Sequence, residues 1–277
     1  RLLNTAGYRF NQQDLNDRNQ YQARIDYNMT DAHKFEGSFQ WFRETDDRTD
    51  LDAINARPKV FTESTVKFFV GAWRWSTARF QNELRVGANL APVAFNTDVD
   101  YGGAILSVPF ITSRQVSFLP QGRDTRTRQF IDNASLTVGD HSMQFGGSLQ
   151  QIRVRPYNFA GQFPTVNFGF SAAAPATVQL NANLFPQDTA NPTGQRIQPT
   201  DLANANALAS FLGGIISSVN QTFQVRNQTS GFVPGLPEEK NLILDNWAFY
   251  FQDNWRMRSN LTIRYGLKWE YFSPVRE

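Results

Sequence analysis

The stretch from Trp247 to Tyr271 constrains the fold most, because its second half alternates strictly between two kinds of side chain. One set is apolar or aromatic throughout: Leu261, Ile263, Tyr265, Leu267, Trp269 and Tyr271. The other set is polar or glycine: Thr262, Arg264, Gly266, Lys268 and Glu270. This period of two predicts a β-strand with one apolar face. A shorter strand pattern at 247–255 precedes it, and polar residues at 257–260 join the two, so the stretch predicts a β-hairpin.

Three more segments repeat this arrangement of strand, tight turn and strand. The four predicted antiparallel pairs are 21–29 with 35–42, 66–75 with 80–90, 130–138 with 143–152 and 246–256 with 261–271. Long connections separate the pairs, at 43–62, 91–127 and 155–199. Tight turns on one side and long loops on the other are typical of outer-membrane barrels, whereas soluble sandwiches keep most loops short. The predicted fold class is all-β: an antiparallel transmembrane β-barrel segment of about eight wall strands, with long extracellular loops and one short loop helix.

The remaining elements lie in the predicted loops. Residues 1–18 are polar and predict a loop. Asp201 to Leu212 predicts the helix, with Thr200 or Asp201 as its N-cap and Gly213-Gly214 at its end. Ile216 to Val225 predicts a further strand. If that strand crossed the membrane, it would put the next tight turn on the wrong side, so we place it above the membrane, paired with residues 241–246.

Composition argues against several function classes. The chain has no Cys and only two His, so we predict no disulfide, metal or other cofactor. A net charge of +2 is too balanced to suggest nucleic acid, and no nucleic-acid partner is predicted. No apolar run approaches the roughly 20 residues of a membrane helix. No Ser/His/Asp constellation lies on the strands, so we do not predict an enzyme.

The alternation also assigns candidate functional residues. The polar-face residues are expected to line a wet lumen: Arg24, Asp26, Glu36, Glu83, Arg85, Arg264, Lys268 and Glu270. Aromatic residues near strand ends are expected to form membrane-interface girdles: Trp41, Trp75, Trp247, Trp255, Trp269 and Tyr271. Tryptophans could instead stack on sugars. His33 and His141 are interpreted as solvated turn residues rather than a metal pair, and the Asp-rich loop at 46–52 is a weaker alternative for Ca²⁺.

Several segments resemble the TonB-dependent outer-membrane receptors, in particular the Oar-like branch with a carboxypeptidase-regulatory-like N-terminal domain. The most specific are Phe251-Gln-Asp-Asn-Trp-Arg256 and the strand from Leu261 to Tyr271. Further segments are Tyr21 to Tyr27 with His33-Lys34, Asn82 to Gly87, Gly139 to Gly147 and Leu208 to Gly214.

The resemblance implies that residues 1–277 are part of one outer-membrane barrel domain, without its plug domain and its remaining strands. It implies localisation in the outer membrane of a Gram-negative-type bacterium and uptake of a bulky nutrient: an oligosaccharide, a peptide or a metal chelate. The implied partners are outer-membrane lipid, the TonB complex through the missing plug domain, and an unknown small or oligomeric ligand. The alternative function is a structural or adhesive outer-membrane or secreted β protein whose loops bind partners. Because eight strands close only a narrow barrel and this family's barrels are far larger, we expect a curved, open sheet.

Overall fold

The computed structural model describes residues 7, 9–110, 116–171, 178–187, 194 and 196–277. The strands, in chain order, are β1 (Asn16–Asn28), β2 (His33–Asp47), β3 (Val60–Ser76), β4 (Phe80–Leu90), β5 (Val93–Thr97), β6 (Ile105–Ser107), β7 (Gln121–Val138), β8 (His141–Asn158), β9 (Thr165–Phe168), β10 (Ile216–Asn220), β11 (Gln224–Val225), β12 (Phe232–Val233), β13 (Glu238–Glu239), β14 (Leu242–Arg258) and β15 (Leu261–Phe272). One α-helix, α1 (Pro199–Leu212), and a 3₁₀ turn at Ala182–Leu184 lie between β9 and β10.

Eight long strands form the main sheet, which we call the wall, in the order β1-β2-β3-β4-β7-β8-β14-β15. Every neighbouring pair in this order is antiparallel, and all four predicted hairpins are confirmed. Two short strands extend the sheet: β5 pairs with β3 and β7, and β13 pairs with β8. Within the described residues β1 does not pair with β15, so the sheet is open, as expected.

The wall strands reach further toward the long loops than the sequence predicts. For example, β7 and β8 each have 18 residues, and their ladder continues up to the pair Gln121↔Asn158. The predicted limits followed the apolar alternation, which stops where the side chains become polar. The backbone ladder does not stop there, because the neighbouring strand still supplies hydrogen-bond partners. The predicted loop at 1–18 is likewise shorter, because β1 begins at Asn16; residues 1–6 and 8 lie outside the described residues.

Register aligns the apolar residues of all eight wall strands on one side of the sheet, which we call the apolar face. One row of cross-strand partners runs Phe39↔Phe69↔Ala88, and the same parity continues through Phe130 on β7. The opposite side is the polar face. Few apolar residues of the described chain are buried: Val60, Ala72, Tyr101, Val116, Leu119 and Ala134. Large apolar side chains on the wall are instead open, with Ile25 73% and Leu267 76% exposed. No protein core therefore covers the apolar face in the described part of the chain.

The smaller elements correct one prediction. β10 pairs antiparallel with β9, and not with residues 241–246. Those residues have no free edge, because Leu242 pairs with Val154 of β8 and Ile243 bridges Arg276 on the other side. β6 pairs parallel with β9, and β11 pairs with β12.

The predicted helix is confirmed, but its predicted N-cap is wrong. α1 begins at Pro199, and Gln198 before it makes no side-chain cap. Proline suits the first position of a helix, because an N–H group there would have no hydrogen-bond partner within the helix. Its end is as predicted: the Gly213 N–H donates to Ala209 and Phe211 carbonyls, and Gly214 has a φ of 67°. In the part of the chain that the structure describes, no helix has the length and apolarity to cross a membrane.

Candidate functional site

The polar face of β1 to β4 carries a continuous row of alternating charges. Arg24 contacts Asp26 at 2.9 Å on its own strand and Glu36 of β2 at 3.2 Å. Glu36 also contacts Arg74 of β3 at 3.2 Å. The row, which we call the charge ladder, continues from Arg74 to β4 and consists of Asp26, Arg24, Glu36, Arg74, Glu83 and Arg85.

The ladder brings together five of the eight residues expected to line a lumen. Its sixth member, Arg74, was missed because residues 66–75 are apolar on both faces in the sequence, so their facing was ambiguous. The pairing Arg74↔Glu83 across β3 and β4 places Arg74 on the polar face. Both carboxylates at the centre of the ladder are shared, Glu36 between Arg24 and Arg74, and Glu83 between Arg74 and Arg85. Isolated surface pairs contribute little, but a shared network fixes the positions of its members more firmly.

The other three lumen candidates lie apart from the ladder. Arg264, Lys268 and Glu270 share the polar face of β15, at the opposite edge of the open wall. Lys268 contacts Glu270 at 2.9 Å, and both side chains are largely open.

Between these two charged regions the middle of the polar face, around Asn133, Gly146 and Tyr250, is uncharged. The Tyr250 hydroxyl donates to Asn133 Oδ1 at 2.9 Å, crossing the whole of β8. It can do so because Gly146 lies between them, paired with both residues. A Cβ on Gly146 would meet the Asp132 carbonyl oxygen at 2.3 Å and the Tyr250 ring at 2.8 Å. The sequence offered only the Gly146-Gly147 pair as a signal of this close approach.

The apolar face carries its aromatic residues in two rows. The row near the tight turns holds Trp73, Trp75 and Trp255, with His33 and His141 stacked among them at 5.4–5.9 Å between ring centres. The row toward the long loops holds Tyr21, Trp41, Trp247, Trp269 and Tyr271. All six girdle candidates fall in one row or the other. Trp247 and Trp255 are eight positions apart on β14, or roughly 27 Å at about 3.4 Å per residue.

His33 and His141 were predicted to be solvated turn residues, and the turn placement was wrong, although the His141 side chain is 41% exposed. Each begins a strand, β2 or β8, and each stacks on tryptophan. The Trp73 Nε1–H donates to His33 Nδ1 at 3.3 Å. His141 lies beside a buried carboxylate, with Nδ1 2.6 Å from Asp253 Oδ2.

Asp253 is the one charged residue on the apolar face of β14 between Trp247 and Trp255, and it is 1% exposed. Besides His141 it receives the Tyr265 hydroxyl at 2.9 Å, so three neighbouring strands meet at its side chain. The sequence contained a signal for this group, because Asp253 interrupts the series Trp247, Phe249, Phe251 and Trp255. It could not show which neighbours would contact the carboxylate.

The Asp-rich loop between β2 and β3 uses its carboxylates internally. Asp50 contacts the Arg48 guanidinium at 2.6 Å, and this hydrogen bond lowers the pKa of Asp50. Burial raises the pKa of Asp52, but N–H groups of Lys59 and Asn55 donate to it and lower its pKa overall. Within the described residues, no three carboxylates or histidines gather into a metal site here.

Comparison with known proteins places the chain in a family. Among solved structures, the outer membrane transporter YddB from Escherichia coli has a TM-score of 0.48 at 10% sequence identity; the match covers 94% of this chain and 28% of the transporter. The chain thus spans about a quarter of that transporter's length. No curated protein sequence matches it. The family profile described as "Outer membrane beta barrel domain" matches residues 2–277, so the chain belongs to this family and is located in the outer membrane.

Proposed function

We propose that the chain is one sector of the barrel wall of a TonB-dependent outer-membrane transporter that takes up a bulky nutrient, such as an oligosaccharide, a peptide or a metal chelate. The observation that carries the proposal is the division of the wall into two faces. One face is mainly apolar across eight strands, and the other carries a connected charge ladder across four of them. Charged groups are costly on a lipid face and ordinary on a lumen face, so the ladder lines water.

The pattern of exposure supports lipid as the surroundings of the apolar face. On β7, Phe130 is 44% exposed, while the polar-face residues Gln129 and Asn133 beside it are half-buried. On β14, Phe249 is exposed and Tyr250 is half-buried. A soluble sheet places its large aromatic side chains the other way round, against a core. An exposed apolar surface of this extent requires a partner, and in the outer membrane that partner is hydrocarbon.

The edges of the wall support a barrel larger than this sector. No strand of the described residues pairs with the outer edge of β1 or β15. Backbone N–H and C=O groups without partners are costly in lipid, so further strands must cover both edges. A wall of more than eight strands also leaves room for a solute, whereas eight strands enclose a space filled by side chains. The resemblance of the segments 251–256 and 261–271 to TonB-dependent receptors supports the proposed TonB dependence.

Cysteine labelling tests the facing. In the full-length protein in lipid nanodiscs, Cys in place of Leu267 should resist a water-soluble maleimide and react with a lipid-phase probe. Cys in place of the adjacent Lys268 should show the reverse, and Phe130→Cys with Gln129→Cys repeats the test on an interior strand. If Leu267→Cys and Phe130→Cys were shielded from both reagents, a protein core would cover the apolar face and the barrel sector would be refuted.

Binding to TonB tests the transport assignment without knowledge of the nutrient. The purified periplasmic domain of TonB is passed over nanodiscs that contain the full-length protein, with empty nanodiscs as the control. Saturable binding to the loaded nanodiscs alone supports an energised transporter. Absence of binding, together with correct labelling of Leu267→Cys, would leave an outer-membrane wall whose loops bind partners and would overturn the transport proposal.

A further inference from the structure

Four arginines lie together on the apolar-face side of the wall, beyond the aromatic row toward the long loops. Arg126 and Arg128 project from β7, and Arg153 and Arg155 project from β8. They have the parity of Phe130 and Leu149, which belong to the apolar face. Together with Asp124, Gln151, Asn241 and Ile243 they line a cavity of about 270 Å³. We call these four residues the arginine cluster.

The cluster lies at the height of a lipid headgroup layer. Phe130, Leu149 and Trp247 share one row of cross-strand partners, and Arg128 lies two residues beyond it along β7. Arg126 and Arg153 lie four residues beyond it. At about 3.4 Å per residue these are roughly 7 and 14 Å along the strands. The interfacial layer of a bilayer begins at the aromatic row and extends about 5–8 Å outward from the hydrocarbon. On strands tilted by about 45°, the two distances correspond to heights of roughly 5 and 10 Å. Arg128 therefore lies within the headgroup layer, and Arg126 and Arg153 lie just above it.

The arrangement of charge in the cluster is unfavourable for the protein alone. Arg126 and Arg153 are direct cross-strand partners, and like charges in that position repel. Two carboxylates offset part of this repulsion: Asp124 contacts Arg126 at 2.6 Å, and Asp245 contacts Arg153 at 2.9 Å. Arg128 and Arg155 are exposed, and in the described part of the chain no carboxylate pairs with either. The site therefore has an excess of positive charge directed away from the lumen.

We propose that the arginine cluster binds the phosphate groups of a phosphorylated glycolipid headgroup in the outer leaflet of the outer membrane. Phosphate fits these donors, because guanidinium groups bind it through two parallel N–H bonds and several groups can share one anion. A membrane lipid fits the position, because the cluster adjoins the apolar face and lies beyond its loop-side aromatic row. The inference rests on the proposed function only in that this face contacts lipid.

A binding measurement with the purified full-length protein tests the site. Native mass spectrometry in neutral detergent would compare diphosphoryl lipid A, monophosphoryl lipid A and phosphatidylethanolamine as probes, with inorganic phosphate as a competitor. We expect the order diphosphoryl, monophosphoryl, phosphatidylethanolamine, and an affinity for the first that falls with added salt. Arg128→Gln combined with Arg153→Gln should weaken binding of diphosphoryl lipid A at least tenfold.

Two further variants separate charge from folding. Arg85→Gln removes the same charge from the opposite face and should change the affinity less than twofold. Arg128→Lys combined with Arg153→Lys keeps the charge without the fork geometry and should lie between the wild type and the Gln variant. Equal affinity of the wild type and the Gln variant would overturn the site. Displacement of the lipid by millimolar inorganic phosphate would assign the cluster to a soluble anion and overturn the lipid proposal. Labelling of Leu267→Cys is independent of both results, so a failure here is distinguishable from failure of the proposed function.

Discussion

The two faces of the wall differ in how uniform they are. Between its two aromatic rows the apolar face is mainly apolar from β1 to β15. Its charged exceptions there are Asp132, level with Leu84, and Asp253, which is buried against His141 and Tyr265. The polar face changes along the sheet. It is charged on β1 to β4, uncharged around Gly146 and Tyr250 on β8 and β14, and charged again on β15.

On the proposed facing, with lipid on one side and water on the other, this difference reflects the two surroundings. Hydrocarbon accepts only apolar groups or polar groups that are satisfied within the protein, so every position on the apolar face is under the same constraint. Water accepts charged, neutral and small residues alike. On the polar face the local packing therefore decides which residue is needed, and the cost of a substitution should vary from place to place. Four substitutions test this contrast, from the largest expected effect to the smallest.

Leu267→Arg should destabilise the full-length barrel by about 2–4 kcal/mol, because Leu267 is 76% exposed on the apolar face and lies near the strand middle, where an arginine meets hydrocarbon. Lys268→Arg, on the opposite face one position along, is the matched control and should change the stability little. Denaturant unfolding in lipid vesicles measures both. Equal costs for the two variants would remove the distinction between the faces.

Gly146→Ala should cost about 1–3 kcal/mol through overpacking, since its Cβ would lie 2.3 Å from the Asp132 carbonyl oxygen. Gly37 also lies on a wall strand, but its Cβ would meet nothing within 4 Å. Gly37→Ala should therefore leave the unfolding free energy nearly unchanged. The same vesicle assay compares the two, and a neutral Gly146→Ala would show that the β7–β8–β14 region is less tightly packed than described.

Tyr250→Phe should cost about 1 kcal/mol, because it removes one hydrogen bond and leaves its partner oxygen on Asn133 half-buried. Tyr27→Phe on the apolar face removes a hydroxyl without a hydrogen-bond partner among the described residues, and should be neutral. A difference in unfolding midpoint between the two variants is the measurement. If both were neutral, water would be satisfying Asn133 as well as tyrosine does.

Glu83→Gln should have the smallest effect, at most about 1 kcal/mol, because its contacts with Arg74 and Arg85 are partly open to solvent. The effect should shrink further when the ionic strength is raised from 0.01 to 1 M, since salt screens the ladder. A cost that is larger than that of Gly146→Ala, or that does not respond to salt, would mean that the ladder is buried by another part of the protein.

The sequence predicts the hairpins well, because alternation and tight turns are local signals. It predicts the strand ends poorly. Toward the long loops β7 is polar on both faces, and on β8 the apolar residues Ile152 and Val154 change to the other face, while the backbone ladder continues. The same lack of a local signal explains why the sequence missed the facing of Arg74 and the partner of β10. Arg74 lies on a strand that is apolar on both faces, and the partner of β10 depends on which edges are already occupied, which no local pattern contains.

The functional residues follow the same division. Residues whose role depends on facing alone, such as Arg24 or Trp255, could be assigned to a face from their position in the alternation. Residues whose role depends on a neighbour from another hairpin could not. The Asp253 group requires His141 from a segment more than a hundred residues away, and the arginine cluster requires the exact register of β7 against β8.

The unpaired edges of β1 and β15 affect how such a wall can be assembled. Each edge presents a row of backbone donors and acceptors along a strand of 13 or 12 residues. In hydrocarbon each unsatisfied group costs several kcal/mol, so this sector has no stable state in the bilayer by itself. Insertion must therefore be coupled to strand pairing at both edges, and a barrel containing this sector should enter the membrane in one cooperative step together with the strands that close it.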